Sequence, residues 1–82
     1  MNYRVEFRPA AAQQTIGLPG DAYLALIQAL GAASRDPFDG TVTLATPDVH
    51  VRRVVFGGGG LASFYIDLQA QLISVFAILW AG

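Results

Sequence analysis

The 82-residue sequence contains no cysteine. No disulfide can staple the fold, and no thiolate is present to bind zinc or act as a nucleophile. This sets the chain apart from small secreted disulfide-rich domains and fits a reducing, cytoplasmic compartment. Charge is scarce as well: charged residues make up 13% of the chain, and five basic against six acidic side chains leave a net charge of −1. That balance argues against a strongly basic nucleic-acid clamp, whose affinity scales with the number of phosphates neutralised. There is one histidine, and the serines at 34, 63 and 74 have no motif around them, so a hydrolase triad is unsupported. Long apolar runs are missing too. The longest, Leu72 to Trp80, spans nine residues with Ser74 interrupting, against about 20 needed for a helical bilayer span. No signal peptide is expected, because Met1 to Pro9 alternate charged and apolar residues.

What is present is hydrophobic: 54% of the residues. That excludes a disordered tail. The length suits one domain, residues 1–82, burying about 60–65% of its unfolded surface. Tyr3, Val5 and Phe7 alternate with Arg4, Glu6 and Arg8, the period of a half-buried strand. Pro9 ends that strand and suits the first position of a short helix, Ala10 to Ile16, which Gly17 is expected to close in a left-handed cap. Asp21 is a candidate N-cap for a second helix, about Ala22 to Ala33, with Tyr23, Leu26, Ile27 and Leu30 as its apolar stripe. Asp36-Pro37 stops it, since a residue before proline is pushed out of the helical region.

Strands are expected at Thr41 to Ala45, His50 to Phe56, Leu61 to Leu68 and Leu72 to Trp80, the last fully buried. Turn signals at Thr46-Pro47-Asp48 and Gly57 to Gly60 separate the first three of them. The order β-α-α-β-β-β-β implies an α+β fold. An N-terminal strand and a two-helix hairpin precede an antiparallel meander, and the helices pack on one sheet face.

The candidate chemistry is sparse. Gly57 to Gly60 lacks the Lys-Ser/Thr of a P-loop and the spacing of a dinucleotide fingerprint. Asp36, Asp39 and Asp48 lie in turns and share no helix or strand face, so no metal site or cofactor is expected. His50 and Arg52, two apart, are expected on one strand face, with Arg53 on the other. His50 could serve as a general base and Arg52 could contact a phosphate; the alternative is a solvated edge that discourages aggregation. Tyr65 shares a face with Ser63 and Asp67, as a catalytic tyrosine or a packed aromatic.

Tyr3-Arg4-Val5-Glu6-Phe7, then Pro9-Ala10-Ala11-Ala12, Leu18-Pro19 and a helix ending in Asp36-Pro37-Phe38 together resemble the start of RelE/ParE-family toxins. Phe64-Tyr65-Ile66-Asp67 before an apolar strand resembles that family's closing hairpin, and the ending Ala77 to Gly82 looks like a compact variant. The resemblance implies the toxin of a type II toxin–antitoxin, or plasmid-stabilisation, module, inhibiting growth until a cognate antitoxin wraps it. RelE-like members cleave mRNA on the ribosome, whereas ParE-like members inhibit DNA gyrase without nuclease chemistry. The resemblance carries catalytic roles to His50, Arg52 and Tyr65, and Arg53, which completes the basic cluster, is a candidate target- or RNA-binding residue. It also equates Ala62 with a usual nuclease arginine, and no basic or tyrosine-bearing tail follows the last strand. Losing one such donor costs on the order of 10²–10³ in rate. The expectation is therefore a non-enzymatic, ParE-like or divergent toxin, with an endoribonuclease or a non-toxic antitoxin-binding module as alternatives. Partners would be the antitoxin and the ribosome or gyrase, in a homodimer or a toxin–antitoxin hetero-oligomer.

Overall fold

The computed structural model describes residues 2–82. Its elements are β1 (Arg4–Phe7), α1 (Pro9–Thr15), α2 (Gly20–Arg35), β2 (Leu44–Ala45), β3 (Val51–Phe56), β4 (Gly60–Asp67) and β5 (Leu72–Trp80). They form the expected α+β fold. The five strands make one mixed sheet in the order β1-β5-β4-β3-β2. The meander from β2 to β5 is antiparallel, and β1 lies parallel to β5 at the sheet edge. No helix among the described residues is long and apolar enough to cross a membrane.

Both helices lie on the same side of the sheet. Ala11, Ala22, Leu26, Leu30 and Ala33 from the helices meet Val54, Phe56, Ala62, Phe64, Ile66, Ile73, Val75 and Ile78 from the strands in one buried core. Alanines on the helices let backbone approach sheet, while the larger side chains come mostly from the strands. The buried stripe of α2 runs through Ala22, Leu26, Leu30 and Ala33. It is rotated from the expected one, and Tyr23 and Ile27 remain exposed.

Three local expectations are corrected. Gly17 is not left-handed: Gly57, at φ 56°, is the one glycine with positive φ among the described residues. Instead α1 ends in tight turns, with Leu18 N–H donating to Thr15 O at 3.2 Å. Asp21 is not the N-cap, because α2 already begins at Gly20 after Pro19. Its Oδ1 accepts from Ala22 N–H at 2.9 Å, and its charge still favours the helix start. Nor does a strand run from Thr41. Thr43 N–H donates to Asp39 O in a turn, and the buried Thr43 Oγ1 donates to Pro37 O at 2.7 Å, leaving Leu44–Ala45 for β2.

β5 is not buried along both faces. Ile73, Val75 and Ile78 are buried, while Phe76 and Leu79 are exposed. A β-bulge explains the pattern. Phe64 pairs with Val75 but Ser63 pairs with Ala77, leaving Phe76 without a partner. One extra residue flips every later side chain to the other face. The bulge thus returns Ile78 and Trp80 to the helix side, where Trp80 stacks on Phe56 with centroids 5.8 Å apart. Beyond the end of β1, Gln14 of α1 accepts the Ile78 N–H at 2.7 Å and so caps the exposed edge of β5.

Candidate functional site

The face of the sheet away from the helices is uncovered. Strand register arranges its side chains in rows. Val51, Tyr65, Ser74 and Glu6 form one row across β3, β4, β5 and β1. The next contains Leu44, Arg53, Ser63 and Ala77. The third is wholly aliphatic: Val55, Leu61 and Leu79. Val55 is 61% exposed and Leu79 66%.

His50 sits just before β3, outside the strand's alternation. Its turn is held locally: Thr46 Oγ1 donates to Val51 O at 2.7 Å, and His50 N–H donates to Asp48 Oδ1 at 2.9 Å. His50 O accepts from Ile66 N–H at 2.7 Å, which locks the turn to β4. The imidazole stacks on Tyr65, with centroids 5.7 Å and planes 26° apart. Its Nδ1 lies 3.8 Å from Asp48 Oδ1. Two residues along β3 from Val51, Tyr65's partner, exposed Arg53 stands on the same face.

Arg52 goes elsewhere. It alternates to the helix side with Val54 and Phe56. There its Nε donates to Thr43 Oγ1 at 2.6 Å and its Nη2 to Thr43 O at 3.3 Å. Its guanidinium lies 5.9 Å from the Phe38 ring centroid, a cation–π arrangement. Arg52 therefore ties the loop after α2 to the sheet. The structure brings His50, Tyr65 and Arg53 together on the open side and separates Arg52 from them.

Asp67 accepts from Ala70 N–H at 3.0 Å in the β4–β5 turn, which occupies the carboxylate that could have faced Tyr65 or His50. Ala62 is fully buried against the helices. An arginine at that position would point toward the core rather than to solvent. The open-face positions beside it are Leu61 and Ser63. Sequence reasoning missed the aliphatic row and the role of Thr43. The row depends on hairpin register, which strand periodicity does not specify, and Thr43 had no signal beyond a hydroxyl in a β-prone run.

The site is a sheet surface, and no pocket opens among the described residues. No cluster of His, Asp and Glu among them could hold a metal ion. Every carboxylate on the open face has a local partner: Glu6 pairs with Arg4 at 3.4 Å, and Asp67 takes Ala70 N–H. Arg53 has no carboxylate partner among the described residues, so an acidic group on a ligand would find an uncompensated cation beside apolar surface.

No protein-family model matches this sequence, and no curated protein does. The fold, however, is shared with solved toxin–antitoxin structures. A mutant of E. coli toxin RelE in complex with an antitoxin RelBc peptide superposes with a TM-score of 0.84, covering 100% of this chain and 86% of that one at 13% identity. The toxin–antitoxin complex RelBE2 from Mycobacterium tuberculosis matches at 0.80, with 99% and 100% coverage and 19% identity. The archaeal RelE–RelB complex from Pyrococcus horikoshii matches at 0.75, with 100% and 98% coverage and 16% identity. At these identities the likeness establishes the RelE fold.

Proposed function

We propose that this protein is the toxin of a type II toxin–antitoxin pair. It inhibits growth by binding a macromolecular target through the open sheet face, and a cognate antitoxin neutralises it. The carrying observation is that face: an aliphatic row, the His50–Tyr65 stack and an uncompensated Arg53, on a fold shared with chains of toxin–antitoxin complexes. Binding rather than cleavage is favoured by charge. Arg53 is the cation nearest Tyr65 on this face, Arg4 is paired with Glu6, and Arg52 is engaged on the other side. Cleavage of RNA needs several donors around the phosphate, and counterion release rewards many cations.

The His50–Tyr65 stack supports a second reading, a ribosome-dependent mRNA endonuclease. His50 would be the base at the 2′-hydroxyl, Tyr65 a surface for a base or a proton donor, and Arg53 a phosphate contact. Arg52 then acts through the loop it holds.

Tightly controlled induction in a bacterial host tests both readings. Growth arrest is expected, relieved by co-expression of the product of the adjacent gene and by the folded double variant Tyr65→Ala/Arg53→Glu. DNA supercoiling changes without message cleavage support the binding reading. Cuts in translated message that vanish in His50→Ala support the second. No arrest from soluble, folded protein overturns both.

A further inference from the structure

We infer that Arg8 is the second free cation of the open face, and that Arg8 and Arg53 together hold a protein segment carrying two carboxylates about 14 Å apart, the width of three strand spacings. The inference rests on the reading of this face as the target-binding surface and names the chemistry of the target. Arg8 follows β1 with its backbone still extended, at φ −68° and ψ 157°, and its N–H donates to Val75 O at 2.8 Å. The alternation of β1 therefore continues. Phe7 packs toward the core, and exposed Arg8 stands on the open side with Arg4 and Glu6. Glu6 turns to Arg4, and Arg8 belongs to no ion pair among the described residues. Phe7 pairs with Val75, so Arg8 lies level with Phe76 at the bulge, beside Ala77.

Ser63 joins Ala77 to Arg53 in one row across the sheet. Val75 and Ile78 are both buried, so Phe76 and Ala77 between them both take the open side. The small side chains of Ser63 and Ala77 thus make a shallow floor, with Arg53 at one end and Arg8 at the other. The aliphatic row borders this floor on one side, and exposed Tyr65 and Phe76 border it on the other. The borders are separated by the run of β4 from Leu61 to Tyr65, ~13 Å, which admits one extended chain set edge-on. In such a chain, side chains four residues apart share a side and lie ~13 Å apart, close to the spacing of the arginines. The pattern selected is acid–aliphatic–any–aliphatic–acid. The acids reach Arg53 and Arg8, and the aliphatic residues point the other way, onto the aliphatic row. Arginine suits this pairing because its planar fork takes a carboxylate through two hydrogen bonds. The same inventory favours protein over nucleic acid. Two free cations reward a polyanion little, whereas a contiguous aliphatic row gains only from an apolar partner.

The test titrates the full-length protein with the blocked peptide Gly-Glu-Leu-Phe-Leu-Glu-Gly and follows backbone amides by NMR. Shifts are expected at Leu61, Ser63 and Ala77. Arg8→Ala and Arg53→Ala, each with unchanged circular dichroism, should weaken binding by about tenfold, and so should glutamine in place of both glutamates. Arg8→Lys should recover part of the loss. A peptide with its glutamates only two residues apart should respond to Arg53→Ala and ignore Arg8→Ala. Absence of shifts on the open face overturns the inference. So does equal binding of the glutamine peptide, an Arg8→Ala protein that binds as well as the wild type, or an oligouridine that binds more tightly through the same two arginines. Induction in a bacterial host separates this inference from the proposed function. Arrest that is relieved by Tyr65→Ala/Arg53→Glu but persists in folded Arg8→Glu overturns the role of Arg8 and leaves that function standing. Absence of arrest overturns the function, and the peptide titration still decides the pairing of Arg8 with Arg53.

Discussion

The two faces of the sheet are built from the same strands, often from adjacent residues, yet they do different work. Phe64 is fully buried beneath the helices, whereas Tyr65, the next residue, is exposed beside His50. Arg52 clamps Thr43 on the helix side, whereas Arg53 faces solvent on the other. The buried core lies against one face, and the proposed recognition surface is the other. Because strand side chains alternate with a period of two, a single position separates a buried side chain from an exposed one.

Substitutions at adjacent positions should break or sharpen this contrast. The largest effect is expected at Phe64→Ala, which should lose about 3–5 kcal/mol in urea unfolding, enough to unfold a marginally stable domain. Tyr65→Ala should move stability by less than about 1 kcal/mol and act on target binding instead. Equal losses at the two positions would erase the division between the faces.

Glycines at the hairpin tip give the next test. A Cβ at Gly60 would lie 2.4 Å from the Phe56 ring, which is itself stacked on Trp80. Gly60→Ala should therefore cost about 1–3 kcal/mol by overpacking, read as a lowered thermal midpoint. Gly58→Ala meets nothing within 4 Å and should leave the midpoint nearly unchanged.

The arginine pair should separate by mechanism. Arg52→Ala removes two hydrogen bonds to Thr43 and should cost about 1–3 kcal/mol. Arg52→Lys should rescue it incompletely, because an ammonium cannot reproduce the planar fork. Arg53→Ala should leave denaturant stability within about 0.5 kcal/mol while weakening toxicity or partner binding.

The smallest effect is in the loop that Arg52 anchors. Asp39 Oδ1 accepts from Thr41 N–H at 2.9 Å and from Thr41 Oγ1 at 2.7 Å. These bonds hold its carboxyl below the ordinary value of 3.8, the backbone bond contributing most. A lowered folded value means that its stabilisation is present above pH 3.8 and is lost as pH falls through the lowered value. Side-chain carboxyl NMR across acid pH should show that displacement, and Thr41→Ala should move it part of the way back.

Much of the fold was legible beforehand. The Tyr3–Val5–Phe7 alternation, Pro9 at a helix start, Asp36-Pro37 at a helix end and the turns before β3 and β4 correspond to local stereochemistry. These features were enough for the element order and the α+β class. The candidate site was legible only as residue types. His50 obeyed the Thr46–Asp48 turn rather than the strand period, so its face could not be read from its distance to Arg52. β5 looked buried on both sides because Phe76 and Leu79 are as apolar as Ile73 and Ile78. Only the bulge, set by pairing with β4, decides which of them face the helices.

The sequence by itself determined the order of helices and strands and which turns divide them, because prolines, glycines and hydrophobic periods act within a few residues. It determined as well that thiol chemistry is excluded and that charge is sparse. Tertiary structure alone decided that β1 joins the sheet beside β5, that Arg52 takes the helix side and Arg53 the open side, and that Val55, Leu61 and Leu79 align in one row. Those outcomes rest on register between strands far apart in the chain. Register is chosen by which side chains the helices can cover, a condition that no local stretch of sequence contains.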